Sequence, residues 1–130
     1  MSEHRVLVVD DEAYVTHVLR QYLARDGYAV EVAANGEQAL TVAQSFAPEV
    51  VITDVQMPRM NGQMLCEELI RRDPDTPPLL LVMTSRTDRD LRAWAATMGN
   101  AEFIEKPISP RRVLERVAAH FARPAAVAPA

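Results

Sequence analysis

Five short runs dominated by Val, Leu and Ile, at residues 5–9, 28–33, 49–53, 79–84 and 101–104, recur along the chain, and longer segments of helical period separate them. The central runs are apolar on both faces, which is the pattern of a parallel sheet covered by helices on each side. Parallel neighbours need a crossover long enough to return the chain, and the intervening segments supply one as a helix each time. The expectation is an α/β fold: a doubly wound, five-stranded parallel sheet with five helices and right-handed crossovers. The pattern alone leaves the strand order open.

The helical segments carry apolar residues three and four apart. Val15, Val18, Leu19, Tyr22 and Leu23 form one stripe, and Ala39, Leu40, Ala43 and Phe46 a second. Leu65, Leu69 and Ile70 mark the third helix, and Val113, Leu114, Val117, Ala118 and Phe121 the last; the fourth, around Leu91 to Met98, is weaker. Helix starts are signalled by Asn35 before Gly36-Glu37, Thr87 with Asp90, and Ser109 followed by Pro110. Gly27, Gly36, Gly62 and Gly99 fall at helix ends or loops, where a positive φ or close backbone approach is useful, and none belongs to a phosphate-cradling motif. Residues 4–122 read as one domain, with 123–130 as a short Pro/Ala tail.

Composition narrows the function classes. The 130 residues carry a formal charge of -4 and no long Lys/Arg run, which argues against direct binding to nucleic acid or to an anionic membrane surface. No apolar stretch approaches a membrane span, and the N-terminal residues lack the layout of a signal peptide, so a cytoplasmic setting is expected. Cys66 is the sole cysteine, expected as a small buried hydrophobe.

Chemistry concentrates where the apolar runs end. Val6 to Val9 ends on Asp10-Asp11-Glu12, and Val50 to Thr53 ends on Asp54, just before Met57-Pro58-Arg59-Met60-Asn61-Gly62. Leu79 to Met83 delivers Thr84 and Ser85, and Phe103-Ile104-Glu105 delivers Lys106 before Pro107. An open parallel sheet gathers its ligands beyond the carboxyl ends of its strands, so acids, hydroxyls and an ammonium meet in one crevice. Carboxylates about 4 Å apart repel by roughly 4 kcal/mol per pair at an effective dielectric near 20. Such a cluster calls for a cation, and all-oxygen ligands suit Mg²⁺ or Mn²⁺ better than zinc.

Taken together, Asp10-Asp11, Asp54 with Met57-Pro58-Arg59-Met60-Asn61-Gly62, Thr84 and Lys106-Pro107 resemble the receiver domain of two-component response regulators of the chemotaxis-regulator type. The resemblance covers residues 4 to 122, and the steps of 30 residues from Asp54 to Thr84 and 22 from Thr84 to Lys106 match it. It implies the flavodoxin-like strand order 2-1-3-4-5. It further implies that Asp54 accepts a phosphoryl group from a sensor histidine kinase, a histidine phosphotransfer protein or a small phosphodonor. By the same resemblance, Asp11, Asp54 and the carbonyl of Gln56 would hold Mg²⁺, with Asp10 assisting through water. Lys106 would neutralise a phosphate oxygen, Thr84 would donate to another, and Phe103 would change rotamer with it. A cis peptide before Pro107 is also implied. Phosphorylation would alter the surface of helix four, strand five and helix five for an output partner, with the protein a monomer or a phosphorylation-dependent dimer, and not itself an enzyme on external substrates.

Plainer roles compete for single residues. An Asp-Asp pair before a helix commonly caps it, and an aromatic such as Phe103 commonly packs and stays still. His4, His17 and His120 are read as packed or solvated, Met57, Met60 and Met64 as loop and helix-face packing, and Trp94 as buried or near the output face. Gln56 and Arg86, two positions after Asp54 and Thr84, are expected to influence loss of phosphate, and Ser85 and Asn100 to influence access. A metal-dependent phosphohydrolase would need a second Asp where Gln56 stands, and a nucleotide carrier would need a glycine-rich motif that is absent. The segment after Ala122 is too short for an output domain, so a stand-alone regulator, a phosphate relay or a segment of a longer protein is expected.

Overall fold

The computed structural model describes residues 3–57, 59–85 and 89–122. Strands and helices alternate throughout: β1 (Arg5–Val9), α1 (Ala13–Arg25), β2 (Ala29–Ala33), α2 (Gly36–Phe46), β3 (Val50–Asp54), α3 (Gly62–Arg72), β4 (Leu79–Thr84), α4 (Arg89–Met98), β5 (Ala101–Glu105) and α5 (Pro110–Ala122). All strand pairs are parallel, and the order is β2-β1-β3-β4-β5. The fold class, the element count and the order implied by the resemblance therefore hold.

Side chains alternate across the pleat and divide the core in two. Leu7, Val9, Val51, Leu80 and Val82 face α2 and α3 through Ala39, Leu40, Leu65, Cys66 and Leu69. Val6, Val8, Val50, Ile52, Leu81 and Met83 face α1 and α5 through Leu19, Leu23, Val113 and Val117. Both faces of β3 and β4 are covered, and every residue of these two strands is buried. One stripe assignment fails at an end: Tyr22 is 37% exposed, because a fully covered α1 face is narrower than the apolar spacing suggests. Cys66 lies in the core, and burial pushes its thiol up to about 12, so it is an unreactive packing residue.

The caps form largely as expected. Asn35 accepts from the Gln38 N–H at 2.8 Å, and Gln38 Oε1 in turn accepts from the Ala34 N–H at 2.6 Å. Ser109 accepts from the Arg112 N–H at 3.3 Å. Thr87 lies outside the described residues. Gly27 and Gly99 adopt φ of 95° and 82°, as helix exits often require. No helix among the described residues is long and apolar enough to cross a membrane.

Candidate functional site

Register fixes where the chemistry collects. Val9 pairs with Thr53, Asp54 with Met83 and Thr84 with Glu105, so β1, β3, β4 and β5 end at nearly one level. The residues that follow each strand therefore share one crevice. Asp10 leaves β1 with its N–H on the Ala33 carbonyl at 3.1 Å, and Val55 leaves β3 with its N–H on the Met83 carbonyl at 3.1 Å. Lys106 leaves β5 with its N–H on the Thr84 carbonyl at 2.8 Å, immediately before a cis bond to Pro107.

The three aspartates meet as expected. Asp10, Asp11 and Asp54 each offer a carboxylate oxygen, and these oxygens lie within 4.8 Å of one another. Asp10 is 1% exposed and Asp54 is 7% exposed, whereas Asp11 is open to solvent. Lys106 Nζ donates to Asp54 Oδ1 at 2.9 Å. A cleft of about 250 Å³ opens above them, lined by Asp11, Glu12, Asp54, Gln56, Thr84, Ser85 and Lys106. A larger groove of about 710 Å³ runs along β5 and the start of α5, away from the acids, so size does not mark the site here.

Asp10 is a perturbed acid of the crevice. Burial drives its carboxyl up to about 6; the Glu12 N–H on its Oδ1 at 2.9 Å opposes the rise, and the charge of Asp54 adds to it. Its Oδ2 is buried with no hydrogen-bond partner among the described residues. On Lys106 burial pulls the ammonium down, but the bond to Asp54 and the charges of Asp54, Asp10 and Glu12 outweigh it and the net shift is upward. One ammonium thus faces several carboxylates, and an orphaned carboxylate oxygen remains. An all-oxygen donor set with excess negative charge fits a hard divalent cation.

The loop after β3 is held closely against that strand. The Gly62 N–H donates to the Val55 carbonyl at 2.9 Å, and a Cβ at Gly62 would fall well inside contact distance of the Asp54 carbonyl oxygen. Only glycine fits there. Arg59 takes a left-handed φ of 69° and pairs with Glu37 on α2 at 3.1 Å, both side chains being exposed. Such a pair is worth about 0.2–1 kcal/mol.

Not every residue singled out in sequence reaches the cleft. Phe103 pairs with Val82, is half-buried, and lines the β5–α5 groove. Asn100 precedes β5 at the opposite end of the sheet, where its Nδ2 donates to the Pro78 carbonyl at 2.6 Å; the expected effect on access has no geometric basis. Trp94 is half-buried and its Nε1 donates to Glu67 on α3 at 2.8 Å, which ties α4 to α3. His4 is exposed and stacks on Phe121 at 3.8 Å. Arg86 lies outside the described residues. Glu12, grouped in sequence with the acids at the end of β1 but given no individual role there, lines the cleft and acts on Lys106.

Known proteins are similar to this chain in sequence and fold. The family described as response regulator receiver domain matches residues 6–118. A probable transcriptional regulator, ycf27, of Guillardia theta is 35% identical over 94% of this chain and 47% of its own length. The transcriptional regulatory protein ResD of Bacillus subtilis is 34% identical over 94% of this chain and 50% of its own. The chain thus spans about half the length of these relatives. Among solved structures, the chemotaxis protein CheY4 of Vibrio cholerae superposes with a TM-score of 0.81 at 29% identity, covering 90% of this chain and 98% of that one. A CheY-like receiver domain protein of Methanospirillum hungatei superposes with a TM-score of 0.84 at 26% identity, covering 93% and 95%. By the family match, the strand order and the acids gathered at the strand ends, the chain belongs to the response regulator receiver domains of two-component signalling.

Proposed function

We propose that Asp54 is the phosphoryl acceptor of this receiver domain. The observation that carries the reading is a nearly buried carboxylate at the end of β3, with the Lys106 ammonium on one oxygen and two further carboxylates beside it. An Asp54 oxygen attacks the phosphorus of a phosphohistidine, the P–N bond breaks, and the departing imidazole nitrogen takes up a proton. The product is an acyl phosphate on Asp54 and a free histidine on the kinase or phosphotransfer protein.

Asp10, Asp11, Asp54 and the Gln56 carbonyl are the groups that would hold Mg²⁺, with Mn²⁺ as a substitute. Bound there, the cation supplies charge compensation for the transferring phosphoryl oxygens. Lys106 neutralises one oxygen as a point charge, and the Thr84 hydroxyl donates to another. Moving a two-state surface from 1:99 to 99:1 needs roughly 5.5 kcal/mol of differential stabilisation. A single charge-assisted hydrogen bond contributes roughly 1.5–3 kcal/mol, so Thr84 and Lys106 must act together and partner binding must add the remainder. The surface of α4, β5 and α5 is the one so controlled, with Phe103 on β5 as its reporter.

The receiver unit is taken as residues 4–122 and the last eight as a linker or tail. The transcriptional regulators among the relatives suggest a DNA-binding partner region, which this acidic unit would regulate without touching DNA itself. A cytoplasmic setting accords with a kinase partner. Beryllofluoride imitates the phosphoryl group on an aspartate. With Mg²⁺ it is expected to shift the backbone amide resonances of Thr84, Phe103 and Lys106 in wild type and not in Asp54→Asn. Equal shifts in both proteins would reject Asp54 as acceptor.

A further inference from the structure

The start of α2 contributes nothing to the acid cluster, yet it touches the loop that does. A Cβ built on Gly36 would lie 2.8 Å from Met60 Cβ, 2.8 Å from Met60 Cγ and 2.9 Å from Met60 Sδ. Real Cβ atoms do not approach so closely. Because Met60 Cβ is itself one of the three atoms, turning the methionine to another rotamer cannot open the space. The backbone of the loop has to move.

The seat is rigid on the α2 side. Asn35 accepts from the Gln38 N–H of the first turn, the Gln38 side chain accepts from the Ala34 N–H just before the helix, and Ala39 and Leu40 anchor it in the core. The loop is rigid on the β3 side, where Gly62 is fastened to Val55 and lies against the Asp54 carbonyl. Met60 therefore spans the distance between a fixed helix end and the strand end that carries Asp54, and it packs onto the same core cluster. The exposed Arg59–Glu37 pair bridges the same two elements but is too weakly held to set their spacing.

We propose that Gly36 and Met60 are positioning residues: the bare Cα of Gly36 seats Met60, and through it sets where the loop holds the Asp54–Gln56 side of the cation and phosphoryl site. The proposal rests on the reading of Asp54 and its neighbours as that site. A methyl at position 36 displaces the loop, and alanine is otherwise the better helix residue there, so any loss is steric.

The test is a double-mutant cycle on the full chain, read by Mg²⁺ titration calorimetry and by amide hydrogen exchange at Gly62 in metal-free protein. Gly36→Ala is expected to weaken Mg²⁺ binding about tenfold and to speed Gly62 exchange about tenfold, displacements of this kind being costly at a pre-organised site. In a Met60→Gly background the same substitution is expected to cost no more than about twofold in either readout, because losing the Met60 Cβ together with the rest of the side chain leaves room for the methyl. An equal cost in both backgrounds, or no cost in either, overturns the proposal. Should Gly36→Ala fail to fold alone, recovery of the folded protein in the double variant supports it and failure of the double variant as well overturns it. If wild type binds no Mg²⁺, the reading of the acid site fails; the exchange measurement, which uses no metal, still decides the Gly36–Met60 contact.

Discussion

Lys106 Nζ hydrogen-bonds Asp54 Oδ1 at 2.9 Å, joining the end of β5 to the end of β3 across the intervening strand β4. The ammonium competes with any cation for the same carboxylate. Lys106→Met is therefore expected to strengthen Mg²⁺ binding several-fold while removing the contact through which the acyl phosphate would act on β5. Calorimetry checks the first effect, and loss of the beryllofluoride-induced shift at Phe103 checks the second.

Asp10 gives the site a pH dependence with a definite sign. Its ordinary value is 3.8 and its folded value about 6, so between these the folded state binds the proton more tightly than the unfolded chain does. This group's contribution to stability is full below its ordinary value and falls as pH rises toward about 6, by at most about 3 kcal/mol. A cation needs the ionised form and removes that penalty. The rise in thermal midpoint on adding Mg²⁺ is expected to be larger at about pH 7.5 than at about pH 5, and Asp10→Asn is expected to flatten the difference.

Gly62 abuts the Asp54 carbonyl, which is backbone and cannot swing aside. Gly62→Ala is expected to destabilise the fold by about 2 kcal/mol or more, measured by urea unfolding. Arg59→Ala, by contrast, breaks only an exposed ion pair and is expected to change stability by less than about 1 kcal/mol.

Much of this was legible in the chain. The central strands are apolar on both faces because both are covered, and that is why Val50 to Thr53 and Leu79 to Met83 announce themselves. Asp54 and Thr84 were readable for the same reason, since a polar residue ending a buried run has only the crevice to enter, whereas Lys106 follows the half-buried β5 and was placed by the resemblance. What escaped depends on spacing between elements that are distant in sequence. The seat of Met60 on Gly36 joins residues 24 positions apart, and neither residue signals it alone. Asn100 escaped differently: it stands just before β5, and a parallel strand begins at the end of the sheet opposite the crevice.

Trp94 is the only tryptophan, and its bond to Glu67 ties α4 to α3. Displacement of α4 on activation is expected to change its emission, so beryllofluoride should shift wild-type fluorescence. Glu67→Ala is expected to reproduce part of that shift without beryllofluoride. An emission unchanged by activation would mean that α4 does not move.

The most direct measurement is intact-protein mass spectrometry after rapid mixing with acetyl phosphate and Mg²⁺, followed by borohydride reduction and peptide mapping. One phosphoryl group on Asp54 is expected, absent without Mg²⁺ and absent in Asp54→Asn. A stable adduct at another residue, or no adduct at any mixing time with no release of inorganic phosphate, would contradict the assignment of Asp54 as the acceptor.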